Sequence, residues 1–517
     1  MRKTLILALL ALSISAAAQK VPASFSTQKV QTTLQQFLLT NNAAGMGLSQ
    51  PASGSKTQIN GFWSGGEDHL AQQGSADYGF DFSTLRYDSF SDKLLFRGSF
   101  HYCLDMEKDR AWSDVMDPWF SIPFIYGSSI AKNYEKHSCG LTFDLYTAPL
   151  ADWISVGIRT RYDVADHSGL RDPRPRTNSL DWQAVPSVLL SLGPHHVGLD
   201  LGYGYSKEKL TGLSTIQSYP NLQYYKMSGL DHVEGAIGAY SGFKRQFYGG
   251  RFIGDLSYNY AAGPVKALVS GGMEYGVLDA YGDNKQSPGS YNYFKYNLIA
   301  DLQYQSGKML HVLQLNGSLK DAGADEYLQE LLSEKDPDTG VTTQTWVTLY
   351  QYKNRYMLNQ TEVAAKYTLF GAYDGKDYLW SVEAGAGYSA FLKECFLPYS
   401  MFSLKRMEFS LGGSVRILEF SRHRLEASAQ ARGIIPVKVS QGFLYENEYT
   451  ADVLEPDGAY YRRQRIGGNA SLTWTFPLNL GKAGMANGYL RLEGGYRQAL
   501  PQGSLASAAV TIGIFTF

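Results

Sequence analysis

The sequence predicts an all-β protein: a transmembrane, antiparallel, up-and-down β-barrel of about 18 strands, with sixteen as the alternative count. Three observations carry this. Apolar and polar residues alternate through many segments of about ten residues. Composition is rich in Gly (53), Tyr (37) and Phe (25) with 18% charged residues, which suits pleated strands, tight turns and interfacial aromatic girdles. Beyond the first residues no apolar run reaches the roughly 18 residues a spanning helix needs.

Residues 1–18 read as a secretory signal: Arg2 and Lys3, an apolar run from Leu5 to Ile14, then Ala16-Ala17-Ala18 before Gln19. Residues 19–54 form an N-terminal periplasmic or plug segment. In it Val30, Leu34, Phe37 and Leu38 fall at helical spacing, ahead of an Asn- and Gly-rich stretch, Thr40 to Gly47. Two readings are open, a plug whose apolar stripe rests on the lumen wall and a loosely ordered leader.

Residues 55–517 make the barrel. Ile154, Val156, Ile158, Thr160 and Tyr162 form one face, and Ser155, Gly157, Arg159, Arg161 and Asp163 the other. The same alternation runs through 196–205, 294–305 and 465–476. A soluble sandwich alternates too. The membrane reading is favoured because Tyr and Phe end the apolar faces and because short and long connections alternate. Short, periplasmic turns are expected at 87–92, 147–152, 192–195, 261–264, 305–308, 372–377, 419–423 and 477–487. Longer, extracellular excursions are expected at 104–131, 164–177, 207–243, 279–290, 320–342 and 443–457. Thr343 to Phe370 is either one long strand or two divided near Lys353-Asn354-Arg355. Within the excursions, Tyr327, Leu328, Leu331 and Leu332 form a helical stripe ended by Asp336-Pro337, which predicts a surface helix on the rim.

The last strand, from Leu505, has two fairly apolar faces. Phe515 and Phe517 are placed toward lipid, where a terminal aromatic resembles the signal read by barrel-assembly machinery on a closing strand.

The inward parity set includes Arg97, His101, Arg159, Arg161, Arg251, Asp255, Glu408, Arg416, Arg424, Glu426, Arg432, Arg465, Arg491 and Glu493 as lumen-lining candidates. Both signs interleave, so ion networks that brace or partly fill the lumen are expected rather than a one-signed selectivity ring. Trp112, Trp119, Phe120 and Phe124 crowd one excursion. Packing under neighbouring loops is the first reading, and contact with a sugar or apolar ligand the second.

Around Asn42-Ala43-Ala44-Gly45 the sequence resembles, in degenerate form, the Asn-Pro-Ala-Gly-like motif that follows the hatch segment of long-chain fatty-acid channels. Membership of that family implies 14 strands. The signal end and the Tyr-rich strands resemble more broadly the uncharacterised outer-membrane barrels of Bacteroidota.

Several functions are disfavoured. A net charge of −1, from 47 basic and 48 acidic residues, offers no field for nucleic acid. The nine His sit in no catalytic motif, and Cys103, Cys139 and Cys395 have no metal-ligand spacing, so no catalytic residue, metal or cofactor is expected. The odd cysteine count predicts free thiols. Cys103 and Cys139 are assigned to opposite faces of adjacent strands and to different heights. The expected partners are outer-membrane lipid, the assembly machinery and a small solute. The function expected is passage of that solute by diffusion or a gated lateral route, and the rival is a closed barrel that anchors surface loops or serves a larger envelope complex.

Overall fold

The computed structural model describes residues 24–49, 53–118, 122–214, 224–234, 245–282, 286–335, 337–479 and 485–516. The leader at 1–18, Trp119, Phe120 and Phe517 lie outside them.

Alternating segments of this length, joined by tight turns, can satisfy every backbone group in lipid only by closing on themselves. They do so here. After a helix at Phe25–Leu34 come β1 (Gly54–Gly66), β2 (Ala76–Ser91), β3 (Leu94–Arg110), β4 (Phe124–Ser128), β5 (Lys132–Thr147), β6 (Ile154–Gly169), β7 (Arg174–Leu192) and β8 (His195–Ser214). Next are β9 (Tyr224–Ser228), β10 (His232–Glu234), β11 (Arg245–Ala262), β12 (Val265–Tyr281), β13 (Gly289–Ser306), β14 (Met309–Lys335) and β15 (Thr342–Gly371). The chain finishes with β16 (Trp380–Cys395), β17 (Ser400–Phe420), β18 (His423–Gly442), β19 (Gln464–Asn479), β20 (Met485–Leu500) and β21 (Ser504–Phe515).

Among the described residues, 18 of these strands form one antiparallel sheet, closed where β1 pairs with β21 in the register Lys56 to Phe515 and Gly65 to Ala506. The alternatives of sixteen and 14 strands are thereby excluded. The remaining three, β4, β9 and β10, make a small separate sheet. No described helix is long and apolar enough to cross a membrane. The outward positions carry the apolar side chains: Leu199, Leu201, Phe252, Leu256, Leu298, Leu411 and Ile466 are all exposed. A continuous apolar exterior of this kind belongs against lipid.

The short turns close as the residue types demand. Between β11 and β12 the chain reverses at Gly263 (φ +55°), a left-handed conformation that glycine adopts without a Cβ clash, followed by Pro264.

Three expectations are corrected and one open alternative is settled. The rim helix at 325–334 is the outer part of β14, paired with β15 from Glu326–Tyr352 to Lys335–Thr342. A ten-residue stripe is a marginal helix in water, whereas here its backbone groups bond to β15 and Leu331 sits opposite Trp346. Second, 343–370 is one strand of 30 residues. Its Asn354 has φ +47°, and register shifts against β14 absorb the irregularity near Ala324 and Leu328. Third, Phe515 faces inward, with no exposure, against Tyr489. The outward positions of β21 are Val510 and Ile512, both exposed. Apolar residues inside the barrel mouth gave Phe515 a buried seat that parity alone does not reveal. Fourth, Cys103 and Cys139 do not differ in height: Tyr102 pairs with Cys139 and Cys103 with Ser138. Directly paired residues share a face, so the two thiols point to opposite faces, and both are free.

Candidate functional site

The barrel interior is built from a floor, a chamber and a roof. The floor is the segment 24–49. Ser24 caps its helix, the Oγ accepting from the Thr27 N–H at 3.0 Å. On one side, Val30 is fully buried and clusters with Leu310, Val312, Phe370, Tyr373 and Tyr378, with Leu34 packed against them. Further on, Phe37 is buried with Ala44, Met46, Tyr146, Leu189 and Leu268, and Leu38 packs at the edge of that group. Phe25 meets the Tyr489 ring at 5.8 Å, and Tyr489 in turn meets Phe515. The segment therefore touches strands on opposite sides of the barrel.

Polar side chains seat it in order along the wall. Ser26 donates to Asp377 at 2.6 Å, Lys29 pairs with Glu383, and Gln36 donates to Asp301 at 2.6 Å. Asn41 donates to Asp255 at 2.8 Å and Asn42 to Asp200 at 2.6 Å. Five donors thus meet five acidic side chains, four of them on strands and one in the turn before β16. Asp200 and Asp255 are direct cross-strand partners, a like-charge pairing that is unfavourable unless each carboxylate is engaged. The adjoining amides of Asn41 and Asn42 engage them. Arg159 donates to the Thr40 carbonyl from its ion pair with Asp144. The Asn42-Ala43-Ala44-Gly45 turn is closed by the Gly45 N–H donating to Asn42 Oδ1 at 2.8 Å. A Cβ at Gly45 would lie 2.2 Å from the Phe37 ring, so only glycine fits.

The roof comes from the connections at the opposite end of the barrel. The three-stranded sheet β4–β9–β10 folds inward, and Trp112, Phe124, Tyr225, Tyr356 and Tyr449 are buried in one cluster. Trp112 and Tyr225 rings lie 4.9 Å apart, and Phe124 meets Tyr356 edge-on at 5.7 Å. A π-turn (Thr450–Leu454) and a helix (Glu455–Arg462) complete it. In the connection between β1 and β2, Asp68 is fully buried and receives Arg465 at 2.9 Å and Arg497 at 2.7 Å. In the connection between β18 and β19, burial pushes the Asp457 carboxyl up to about 6, against the pull of the Ala71 N–H and Lys393.

Between floor and roof lie cavities of about 510 and 550 Å³. The first is lined by Arg161, Asp255, Glu408, Asn297 and Asn316 over the floor residues Leu38 to Asn41. The second is lined by His101, Lys136, Asp163, Asp181, Glu208 and Lys320. Most predicted lumen charges are brought into pairs. Arg97 meets Asp144 at 3.0 Å, Arg251 meets Asp181 at 2.7 Å, and Arg432 meets Glu408 at 2.5 Å. Arg424 meets Asp377 at 2.6 Å, Arg416 joins that same carboxylate, and Arg491 meets Glu493 at 2.7 Å. Glu426 is buried near Asp377 and Arg416. Three of the acids that matter most, Asp68, Asp144 and Asp377, were not among the candidates. Asp144 was detectable by parity, since it alternates with Phe143 and Leu145. Asp68 and Asp377 lie in connections, where parity carries no information.

Solved structures with similar backbones are a copper transporter, OprC (TM-score 0.36, 9% identity, 88% of this chain and 80% of that one covered), and the siderophore receptor PiuA from Acinetobacter baumannii (0.37, 8%, 90% and 82%). A third is OccAB4 from Acinetobacter baumannii (0.34, 10%, 90% and 98%). No protein of curated function matches the sequence. The profile of a family of unknown function, DUF6850, matches residues 43–516, and the chain belongs to that family.

Proposed function

We propose that this protein is an outer-membrane barrel that passes a small solute along its axis, and that residues 24–49 are the gate. The observation that carries the reading is the seating of that segment. It crosses the lumen on two apolar clusters and on a run of side-chain hydrogen bonds to wall carboxylates, from Ser26 to Asn42, and such bonds exchange readily for bonds to water. The cavity just above the floor is lined mainly by polar groups and is roomy enough to replace part of a solute's hydration. An axial route is favoured over a lateral one because each of the 18 strands is paired with a neighbour on both sides through the body of the wall, the β18–β19 ladder running from Arg424–Thr475 to Ile434–Arg465. Outer-membrane lipid and the assembly machinery are the partners this reading requires. The kinship with Bacteroidota barrels and fatty-acid channels drawn from Asn42 to Gly45 belongs to the same proposal.

A lumen occupied at both ends also fits a barrel that only anchors its surface loops. Planar-bilayer conductance and liposome swelling separate the two readings. A gate gives rare openings in the wild-type protein and frequent ones once the segment is unseated, whereas an anchor stays silent in both cases. Silence of the unseated barrel, joined with failure of an apolar-solute uptake assay, would overturn transport.

A further inference from the structure

A third cavity lies within the roof itself. It measures about 120 Å³, slightly less than the roughly 150 Å³ apolar cavity that accepts benzene. Its walls are rings that brace one another: Phe391 stacks on Phe402 at 5.6 Å and meets Tyr461 edge-on at 5.9 Å. Such walls hold their shape because each ring is fixed by its neighbours. The space is therefore preformed.

Its polar groups are few and convergent. Asp457, which accepts from the Ala71 N–H at 2.8 Å, and Lys393 stand on the same lining. Tyr291 is also on it. That side chain is buried, and its hydroxyl has no hydrogen-bond partner among the described residues, an arrangement native interiors avoid unless something else meets the group. Tyr291 and Ile122 line both this cavity and the larger chamber cavity, so the pocket adjoins the chamber. Preformed, mostly apolar pockets with a small number of placed polar groups are the usual form of small-molecule sites.

We propose that this cavity binds a single-ring organic molecule carrying one polar substituent, with the ring against Phe391, Phe402 and Tyr461 and the substituent at the Tyr291 hydroxyl. The inference rests on the transport reading only for what happens to the molecule afterwards, and it names the class of solute the outer mouth would admit.

The test is fluorine NMR of the full-length barrel in micelles with 4-fluorophenol and fluorobenzene, protein-free micelles serving as reference. Saturable binding of 4-fluorophenol is expected. Ala324→Phe, which fills the cavity, should weaken it at least tenfold while the barrel still assembles, and Leu230→Trp serves the same purpose if the first variant does not fold. Tyr291→Phe should weaken 4-fluorophenol severalfold and leave fluorobenzene unchanged. No saturation above micelle partitioning, or undiminished affinity in the filled variants, overturns the site. Equal effects of Tyr291→Phe on both probes overturn the role of its hydroxyl. Binding in a protein whose unseated form never conducts retires transport and keeps the site; conductance without binding does the reverse.

Discussion

Replacing Leu34 and Phe37 with Asp should unseat the floor. Phe37 is 2% exposed, held by Tyr146, Leu189 and Leu268, while Leu34 packs on Val30 and Phe370. Losing the buried Phe37 and the partly buried Leu34 side chains costs roughly 4 kcal/mol, and leaving carboxylates in those seats adds several more. The nearest wall groups make this worse, because Asp255 and Asp301 already line the track. A total of about 8 kcal/mol displaces the seating equilibrium by between five and six orders of magnitude, at roughly 1.4 kcal/mol per tenfold. The strands keep their pairing, so barrel yield and heat-modifiable migration should match wild type. Single-channel conductance should rise above the wild-type level, as far as the roof left in place lets ions pass. Thr32→Asp, on the exposed side of the same helix, is the control and should behave as wild type. Normal assembly with unchanged conductance and unchanged leakage of small solutes from liposomes would refute the gate, and the anchor reading would gain.

Three further outcomes follow from particular contacts. Phe515→Asp should reduce outer-membrane yield, because the side chain is fully buried against Tyr489 and truncation of such a ring alone costs about 3–5 kcal/mol; full yield would show the closing strand tolerant of an inward charge. Cys103 and Cys139 should both be alkylated in denaturant without reductant, since the pairing of Tyr102 with Cys139 sends the two thiols to opposite faces; a cross-linked peptide would disprove the register. Asp457 makes the roof sensitive to pH. Its folded pKa of about 6 exceeds the ordinary 3.8, so the protonated roof is favoured at low pH, and stability falls as pH rises from about 4 to 6, by up to about 3 kcal/mol. Amide exchange in 450–462, corrected for its intrinsic rate, should be slower at pH 5 than at pH 7.5, and Asp457→Asn should abolish the difference; an equal pH effect in the variant would show that another group is responsible.

The fold was legible in the sequence wherever one local pattern had a single structural answer. Ile154 through Asp163 alternates cleanly, and only a two-sided strand fits it. The stripe at 327–332 had two answers: helix spacing satisfies it, and so does pairing with a strand that begins several residues later. Local spacing cannot see Trp346 opposite Leu331. The same limit applies to β21, where apolar residues on both faces left Phe515 undecided until Tyr489, on the neighbouring strand, supplied its seat. At the candidate site, the Val30, Leu34 and Phe37 spacing was readable as an apolar stripe. What that stripe rests on was not readable, because Asn41 meets Asp255 and Gln36 meets Asp301 across more than 200 residues of chain. Charge pairing shows the contrast within one cluster: Arg416 and Arg424 were placed by parity, but their shared acceptor Asp377 sits in a turn.

The floor and the roof are made of different materials, and on the proposed transport reading that difference separates their roles. The roof is an apolar core in its own right: Trp112, Phe124, Tyr225 and Tyr449 are buried together and continuous with the strand ends through Tyr291 and Tyr356. Moving it would expose a set of large rings at once, each worth about 1.5–3 kcal/mol of burial. The floor rests on two small apolar clusters, and the remainder is single hydrogen bonds, each contributing about 1 kcal/mol net, or up to 3 where the acceptor is charged. Its polar anchors are also arranged in sequence, from Asp377 and Glu383 to Asp301, Asp255 and Asp200. A segment held this way can leave one contact at a time, with water taking each carboxylate as its partner departs. On the proposed transport reading, motion belongs to the floor and recognition to the roof.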